Sequence, residues 1–358
     1  MCKRIHLLSI CSNEQASYFQ LRSENVDLQK TNTDERKLLA RVARMYYDQN
    51  LTQNQIAQEL GIYRTTIGRM IKKAREDGIV EIIIHDDFDS SVNLAYQVES
   101  HFGLKEVILV SKETVLRNNR DKVQLIAEAA MDLLDRIVKD GDTLGIAWGS
   151  TMSSLVNAKP ISRKRKIRVV PLVGGQGNFE RGDQKHLSEI LHGLASNFGG
   201  EAYYIDAAST AETKEIRDQI YQSKYLQKIR ELWNEIDISI VGIGAPISNS
   251  NLIWQGFFGE ETIEELKKFQ AVGDICSRFY DVDGHIVNSD VYERTVGIEL
   301  QQMKQMRYSI GVAESAAKAN SILGALRGGY INTLVTTEET AKALLRADKK
   351  RKRDEEKQ

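Results

Sequence analysis

From residue 34 to 78 the apolar positions recur at intervals of three and four. Leu38, Leu39, Val42, Met45 and Tyr46 make one stripe, Ile56 and Leu60 a second, and Ile67, Ile71 and Ala74 a third. This is the spacing of amphipathic helices that bury one face. It predicts three helices packed into a small domain and closed by a strongly β-branched strand at 80–84. After the acidic break at 85–89 the pattern changes. Short apolar runs at 106–110, 143–147, 169–173, 202–205, 238–243, 309–313 and 333–335 alternate with helical stretches as far as Arg346. Strands alternating with helices mark an α/β domain built on a mostly parallel sheet. The expected organisation is a mobile leader at 1–33, a winged helix-turn-helix domain at 34–86, an α/β domain at 87–346 and a charged, solvated tail at 347–358.

The second and third helices of the small domain carry specific chemistry. Thr52, with Gln55 three residues on, makes a capping box, and Gly61 ends that helix as a residue at positive φ would. The next helix hides Ile67, Ile71 and Ala74 on one face and shows Arg64, Thr65, Thr66, Arg69, Lys72, Lys73 and Arg75 on the other. From Arg64 to Arg75 there are five basic residues and no acidic one, which suits a helix lying in the phosphate-walled major groove of operator DNA. Its first turn reaches deepest, so Arg64, Thr65 and Arg69 are expected at base edges. Thr66, Lys72 and Lys73, with Thr52 and Gln53 on the helix before, complete the expected DNA-binding set.

Charge and cysteine content change this picture little. A net charge of −1, from 49 basic and 50 acidic residues, leaves room for a locally basic module. Cys2, Cys11 and Cys276 are an odd number with no C-x-x-C spacing, which argues against a disulfide framework or structural zinc and for reduced thiols. The apolar run at 5–11 is too short for a membrane anchor and lacks a cleavage pattern. The expected location is the cytoplasm, with no membrane partner, no metal and no cofactor. The basic run at 349–353 reads most simply as a solvated end, with contact to DNA as the lesser alternative.

The chain from about residue 34 to 346 resembles the SorC family of sugar-responsive regulators, also called deoxyribonucleoside-regulator-like. The resemblance is carried by Leu144-Gly145-Ile146-Ala147-Trp148-Gly149-Ser150-Thr151, Leu172-Val173-Gly174-Gly175, Val241-Gly242-Ile243-Gly244, Gly273-Asp274-Ile275-Cys276-Ser277-Arg278-Phe279 and Ala325-Leu326-Arg327-Gly328-Gly329-Tyr330-Ile331-Asn332. It implies an effector domain similar in fold to sugar-phosphate isomerases. It also implies a homo-oligomer, dimer or tetramer, that releases or rearranges on double-stranded operator DNA when a phosphorylated sugar binds. The function implied is control of a carbohydrate-utilisation operon rather than catalysis.

The residue chemistry suits that expectation. Gly149, Ser150, Thr151 and Met152 follow a strand and open a helix, so backbone N–H groups and two hydroxyls can converge on a phosphate. Gly174, Gly175 and Gly244 would let backbone approach the ligand. Gln176 offers an amide to sugar hydroxyls and Asp274 a carboxylate to a diol. Lys318 resembles a family lysine that reaches the phosphate. Val173 stands before the paired glycines where the deoxyribose-phosphate-sensing branch can use a Schiff-base lysine, so binding is expected to be non-covalent. Two further departures are Val312-Ala313-Glu314-Ser315, where glycines are common, and Tyr63 and Gly68, which replace serines around the recognition helix. The competing reading is a sugar-phosphate isomerase with an appended DNA-binding domain, using Asp281, Asp283 or His285 as base. Asp283-Gly284 reads instead as the tip of a hairpin, and His186 and His192, six apart, do not share a helix face for a metal.

Overall fold

The computed structural model describes residues 35–80, 90–118, 121–175, 186–244 and 259–355. The leader, all but Val80 of the strand expected at 80–84, and Gln176 lie outside the described residues. The chain divides into two compact units, Met1–His85 and Asp86–Gln358.

The first unit contains three helices, α1 over 35–47, α2 over Gln53–Leu60 and α3 over Arg64–Glu76. Their stripes meet in a core of Val42, Met45, Ile56, Ile67 and Ile71, and Leu39, Ala43 and Ala74 form a second cluster against Ile79 and Val80. Thr52 caps α2 through the expected capping box. Gly61 ends it at φ 66°, its N–H donating to the Ala57 carbonyl. That left-handed residue is what turns the chain into α3 within three residues.

In the second unit seven parallel strands form one sheet in the order β1-β9-β8-β5-β2-β3-β4. The strands are β1 Glu106–Val110, β2 Thr143–Ile146, β3 Arg168–Pro171, β4 Glu201–Ala202, β5 Ile238–Gly242, β8 Tyr308–Val312 and β9 Thr333–Thr337. All seven apolar runs pair in it, the fourth reduced to two residues. Side chains alternate between its faces. Leu144, Ile146, Ile238, Ile240, Ile310 and Val312 enter the core on one side, and Val241, Ile243 and Leu334 that on the other. Helices cover both faces, so these strands read as nearly continuous apolar runs. The sheet's order reverses between β2 and β5, and crevices at the carboxyl ends of strands open at such a point.

Two features depart from the expectations. An antiparallel hairpin, β6 Gly273–Ile275 and β7 Arg278–Tyr280, was not foreseen, because its three-residue arms are shorter than any pattern that identifies a strand. The expected boundary at 346/347 is no break either. One helix runs from Glu338 to Glu355. Its buried Asp348 is held by Arg327 at 2.9 Å, His101 at 2.8 Å and Lys352 at 2.9 Å, and Arg351 reaches Asp283 at 2.7 Å. The described part of the tail expected to be a solvated end, through Glu355, is therefore helical and held on one face. His101 lies in α4, Ser90–Phe102, whose Ser91 donates to Glu338. The pairings 91 with 338 and 101 with 348 make the two helices parallel.

Burial alone would raise the Asp348 pKa, but hydrogen bonds from His101, Lys352 and Arg327 hold it at about 2. The pairing stabilises the fold above the ordinary carboxylate value of 3.8 and is lost as the pH falls through about 2. Asp348→Asn is expected to lower Tm at pH 7 by about 5 °C, with a smaller difference at pH 2.5; equal loss at both pH values would refute the charge-based account.

Candidate functional site

Helix α3 presents its basic face as its sequence requires. Ile67, Ile71 and Ala74 are buried, while Arg64, Thr65, Arg69, Lys72, Lys73 and Arg75 are exposed and Thr66 is half-buried. Tyr63 sits at the N-cap and is 85% exposed, the most exposed large apolar side chain among the described residues. Among the other expected contacts, Thr52 Oγ1 already serves the cap, donating to Gln55 Oε1 at 2.8 Å and accepting from Gln55 N at 3.3 Å. Lys73 lies 2.5 Å from Glu35 of α1, and that hydrogen bond raises its pKa. Lys73 thus ties α3 to α1 as well as facing solvent. A Cβ on Gly68 would meet Gln53 Oε1 at 3.5 Å, an ordinary contact, so packing does not demand the glycine.

In the second unit the described members of the expected effector set gather at the carboxyl ends of four neighbouring strands, β8, β5, β2 and β3. After β2, Gly149 at φ 136° opens the helix Ser150–Val156 with Ser150 exposed and Thr151 half-buried. Trp148 Nε1 donates to the Gly174 carbonyl at 2.9 Å, joining the ends of β2 and β3. After β5, the Gly244 N–H donates to the Asp274 carbonyl at 2.9 Å, and a Cβ on Gly244 would fall 1.6 Å from Asp274 Oδ1. The β6–β7 hairpin therefore seats its aspartate against backbone that has no side chain. After β8, Lys318 donates from Nζ to the Ile243 carbonyl at 2.8 Å. Asp274, Gly244 and Lys318, far apart in sequence, meet at the end of β5.

The electrostatics of that cluster are unusual. Burial pushes the Asp274 carboxyl up to about 7, against the opposing pull of the Ser277 N–H and the Lys318 charge. Burial also lowers the Lys318 pKa, opposed by Asp274 and Glu314. Asp274 Oδ2 accepts from Ser277 N at 3.2 Å, whereas Asp274 Oδ1 and Ser277 Oγ are buried with no partner among the described residues. Buried polar atoms are nearly always satisfied, so two together ask for a ligand or a water. The turn joining β6 and β7 is also strained, with Cys276 at φ 55° and Ser277 at φ 61°. Neither is the glycine or asparagine such a turn favours. Ser315, just before Lys318, stands at φ 106° and is held by Thr340 Oγ1 at 3.0 Å.

Several expectations need correction. Met152 is fully buried in the core with Leu155 and Ile190, so its side chain is unavailable to a ligand. Gly174 is a glycine for packing: a Cβ there would come 2.5 Å from the Ala208 carbonyl oxygen. Gly175 donates its N–H to Ala207 O at 2.8 Å, which commits that group to the fold. Residues passed over were Ser277, the Ile243 carbonyl and Arg278. The last is buried, donates to the carbonyls of Tyr292, Gly297 and Ile298 and to Glu299, and pins the hairpin. The motif around Asp274 contained both residues, but only contact geometry separates a serine whose hydroxyl is buried without a partner among the described residues from a structural arginine. Burial keeps the Cys276 thiol protonated and inert.

The alternative base cluster is engaged in structure. Asp281 accepts from the N–H groups of Asp283 and His285, both at 2.9 Å, and Tyr280 pairs with Ile286 across the turn. Asp283 is held by Arg327 at 2.6 Å and by Arg351. The described residues contain no group of side chains able to hold a metal ion, and no helix among them is long and apolar enough to cross a membrane.

Comparison with known proteins identifies the family of both units. Residues 86–346 match the family described as “Putative sugar-binding domain”, and residues 35–81 match the winged helix-turn-helix DNA-binding family. The chain is 39% identical to the sorbitol operon regulator of Klebsiella pneumoniae over 88% of its length and 99% of that protein's. It is 31% identical to the deoxyribonucleoside regulator of Bacillus subtilis (strain 168), covering 87% of this chain and 98% of the relative. The crystal structure of the full-length sorbitol operon regulator SorC from Klebsiella pneumoniae superposes with a TM-score of 0.67 at 38% identity, covering 86% of this chain and 98% of that one.

Two measurements test the site's physics. Gly68→Ala, which removes a helix-interior glycine without a clash, is expected to stabilise the first unit by about 1 kcal/mol in denaturant unfolding; a loss of stability would show the glycine is required. The folded protein keeps Asp274 protonated up to about pH 7, while the unfolded chain releases that proton near 3.8, so folding takes up a proton in that window. Stability of the ligand-free protein should therefore fall as the pH rises from about 4 to 7. Lys318 contributes the opposite slope, below its ordinary 10.5. Asp274→Asn should flatten the fall between pH 4 and 7, and an unchanged profile would reject the raised pKa.

Proposed function

We propose a detailed function from the premise that this chain belongs to the SorC family of sugar-binding transcriptional regulators. It is a DNA-binding transcriptional regulator with a sugar effector. The finer reading is ours: the effector is a phosphorylated sugar, bound non-covalently at the carboxyl ends of β8, β5, β2 and β3. The observation that carries it is the cluster at the end of β5. A lysine whose charge is disfavoured by burial stands beside a carboxyl and a hydroxyl that have unfilled hydrogen-bonding capacity. A phosphate next to Lys318 would restore its charge, and sugar hydroxyls would occupy Asp274 Oδ1 and Ser277 Oγ. Ser150, Thr151 and the neighbouring backbone N–H groups would take further phosphate oxygens.

In this reading Arg64, Thr65 and Arg69 reach base edges, and Lys72, Arg75 and the exposed part of Lys73 hold phosphates. One helix-turn-helix reads a single half-site, so the working form is at least a dimer, with a tetramer the family expectation. The effector controls affinity by favouring one arrangement of the oligomer. A tenfold change in operator binding needs about 1.4 kcal/mol of discrimination, within the usual range of allosteric coupling. Action in the cytoplasm follows from the DNA target. We propose no catalytic role: the relatives are regulators, and Asp281 and Asp283 are spent on the turn and its ion pairs.

Thermal shift against a panel of sugar phosphates, with the free sugars as controls, tests the reading. A ligand at about 100 times its Kd adds about 2.7 kcal/mol. Stabilisation by a phosphorylated sugar is expected, and Lys318→Ala should abolish it while Ser150→Ala/Thr151→Ala weakens it at least tenfold. Stabilisation by an unphosphorylated sugar alone would overturn the phosphate assignment.

A further inference from the structure

The C-terminal helix Glu338–Glu355 carries six basic residues between 346 and 353, and they divide sharply by face. Arg351 and Lys352 point to carboxylates, Asp283 and Asp348. Arg346, Lys349, Lys350 and Arg353 do not: at spacing i, i+3, i+4 and i+7 they form one stripe, with no ion pair or hydrogen bond to any described residue. The stripe borders two open clefts of about 360 and 630 Å³, the larger also lined by Ala316, Ala317 and Asn320. Asp354 lines both, and Asp281 and Asp283 line the larger. Asp283 is already neutralised by Arg327 and Arg351.

We propose that this stripe is a second contact surface for the phosphate backbone of duplex DNA, additional to α3. The proposal rests on the chain being a DNA-binding regulator. Three physical points favour it. Cations in the last turn of a helix offset its dipole, but Arg346 and Lys349 stand more than a full turn before the end at Glu355 and have no such role. The stripe rises about 10 Å along the helix, and a duplex presents about one phosphate per 1.7 Å, so the four cations face a comparable density of negative charge. The stripe contains two lysines, a residue type depleted from the cores of protein interfaces, and no aromatic or large aliphatic anchor of the kind such cores use. The small side chains of Ala316 and Ala317 leave room for a bulky sugar-phosphate backbone.

The test uses the full-length chain and a mixed-sequence duplex of about 30 base pairs, with binding measured across a salt series. Each lost phosphate contact lowers the slope of log K against log salt by about 0.9. Lys349→Gln/Lys350→Gln is therefore expected to lower it by about 1.8 and to weaken low-salt binding roughly tenfold, with oligomeric mass by light scattering unchanged. Arg346→Gln/Arg353→Gln should act similarly, and Arg69→Ala should weaken binding independently. A wild-type slope in both double variants overturns the proposal while leaving DNA binding by α3 intact. A changed oligomeric mass also overturns it, making the stripe an interface between copies of the chain. If the wild-type protein binds no duplex at low salt, the DNA-binding reading fails first and the proposal with it.

Discussion

The second unit is organised by the burial of β5 on both faces. Ile238 and Ile240 pack into one core and Val241 and Ile243 into the other, so the strand cannot shift without exposing one set. Its neighbours β2 and β8 are fixed to it by backbone hydrogen bonds in parallel register. With all seven strands pointing one way, their carboxyl ends share one edge, and the reversal of strand order between β2 and β5 opens space there. The candidate site occupies that edge because main chain ends there and side chains from several loops can converge.

What converges is costly to bury. A carboxyl raised to about 7 and a lysine lowered by burial lie close enough to influence each other, yet their hydrogen bonds go to separate backbone groups, Ser277 N and Ile243 O. The neighbouring turns at Cys276, Ser277 and Ser315 hold left-handed backbone without glycine. Unsatisfied polar atoms and strained turns in one place cost stability that the sheet must offset. Such a cluster suits a site whose partner arrives from solution.

Much of the first unit was legible in the sequence because its helices are local. Capping box, left-handed glycine and three apolar stripes each act within a few residues, and each is present in the structure. In the second unit the seven strands were readable as apolar runs. The hairpin was not, since Gly273–Ile275 and Arg278–Tyr280 become strands only by pairing with each other. The basic tail also misled, because its charge suggested solvation while the buried Asp348, which anchors it through His101 and Arg327, is an ordinary acidic residue until those partners are known.

By itself the sequence determined the helix-turn-helix, the one-sided charge of α3, the alternation of strands and helices, and the glycine loops after the strands. These depend on spacing along one element. Tertiary structure alone decided what the loop residues do. Met152 went to the core, and Gly174 and Gly244 are glycines because Ala208 and Asp274 press against them. Asp274 and Lys318, distant in sequence, meet only because the end of β5 brings Gly244 and Ile243 between them. Burial sets whether a carboxyl is charged, and burial belongs to the packing of distant segments, which no local pattern encodes.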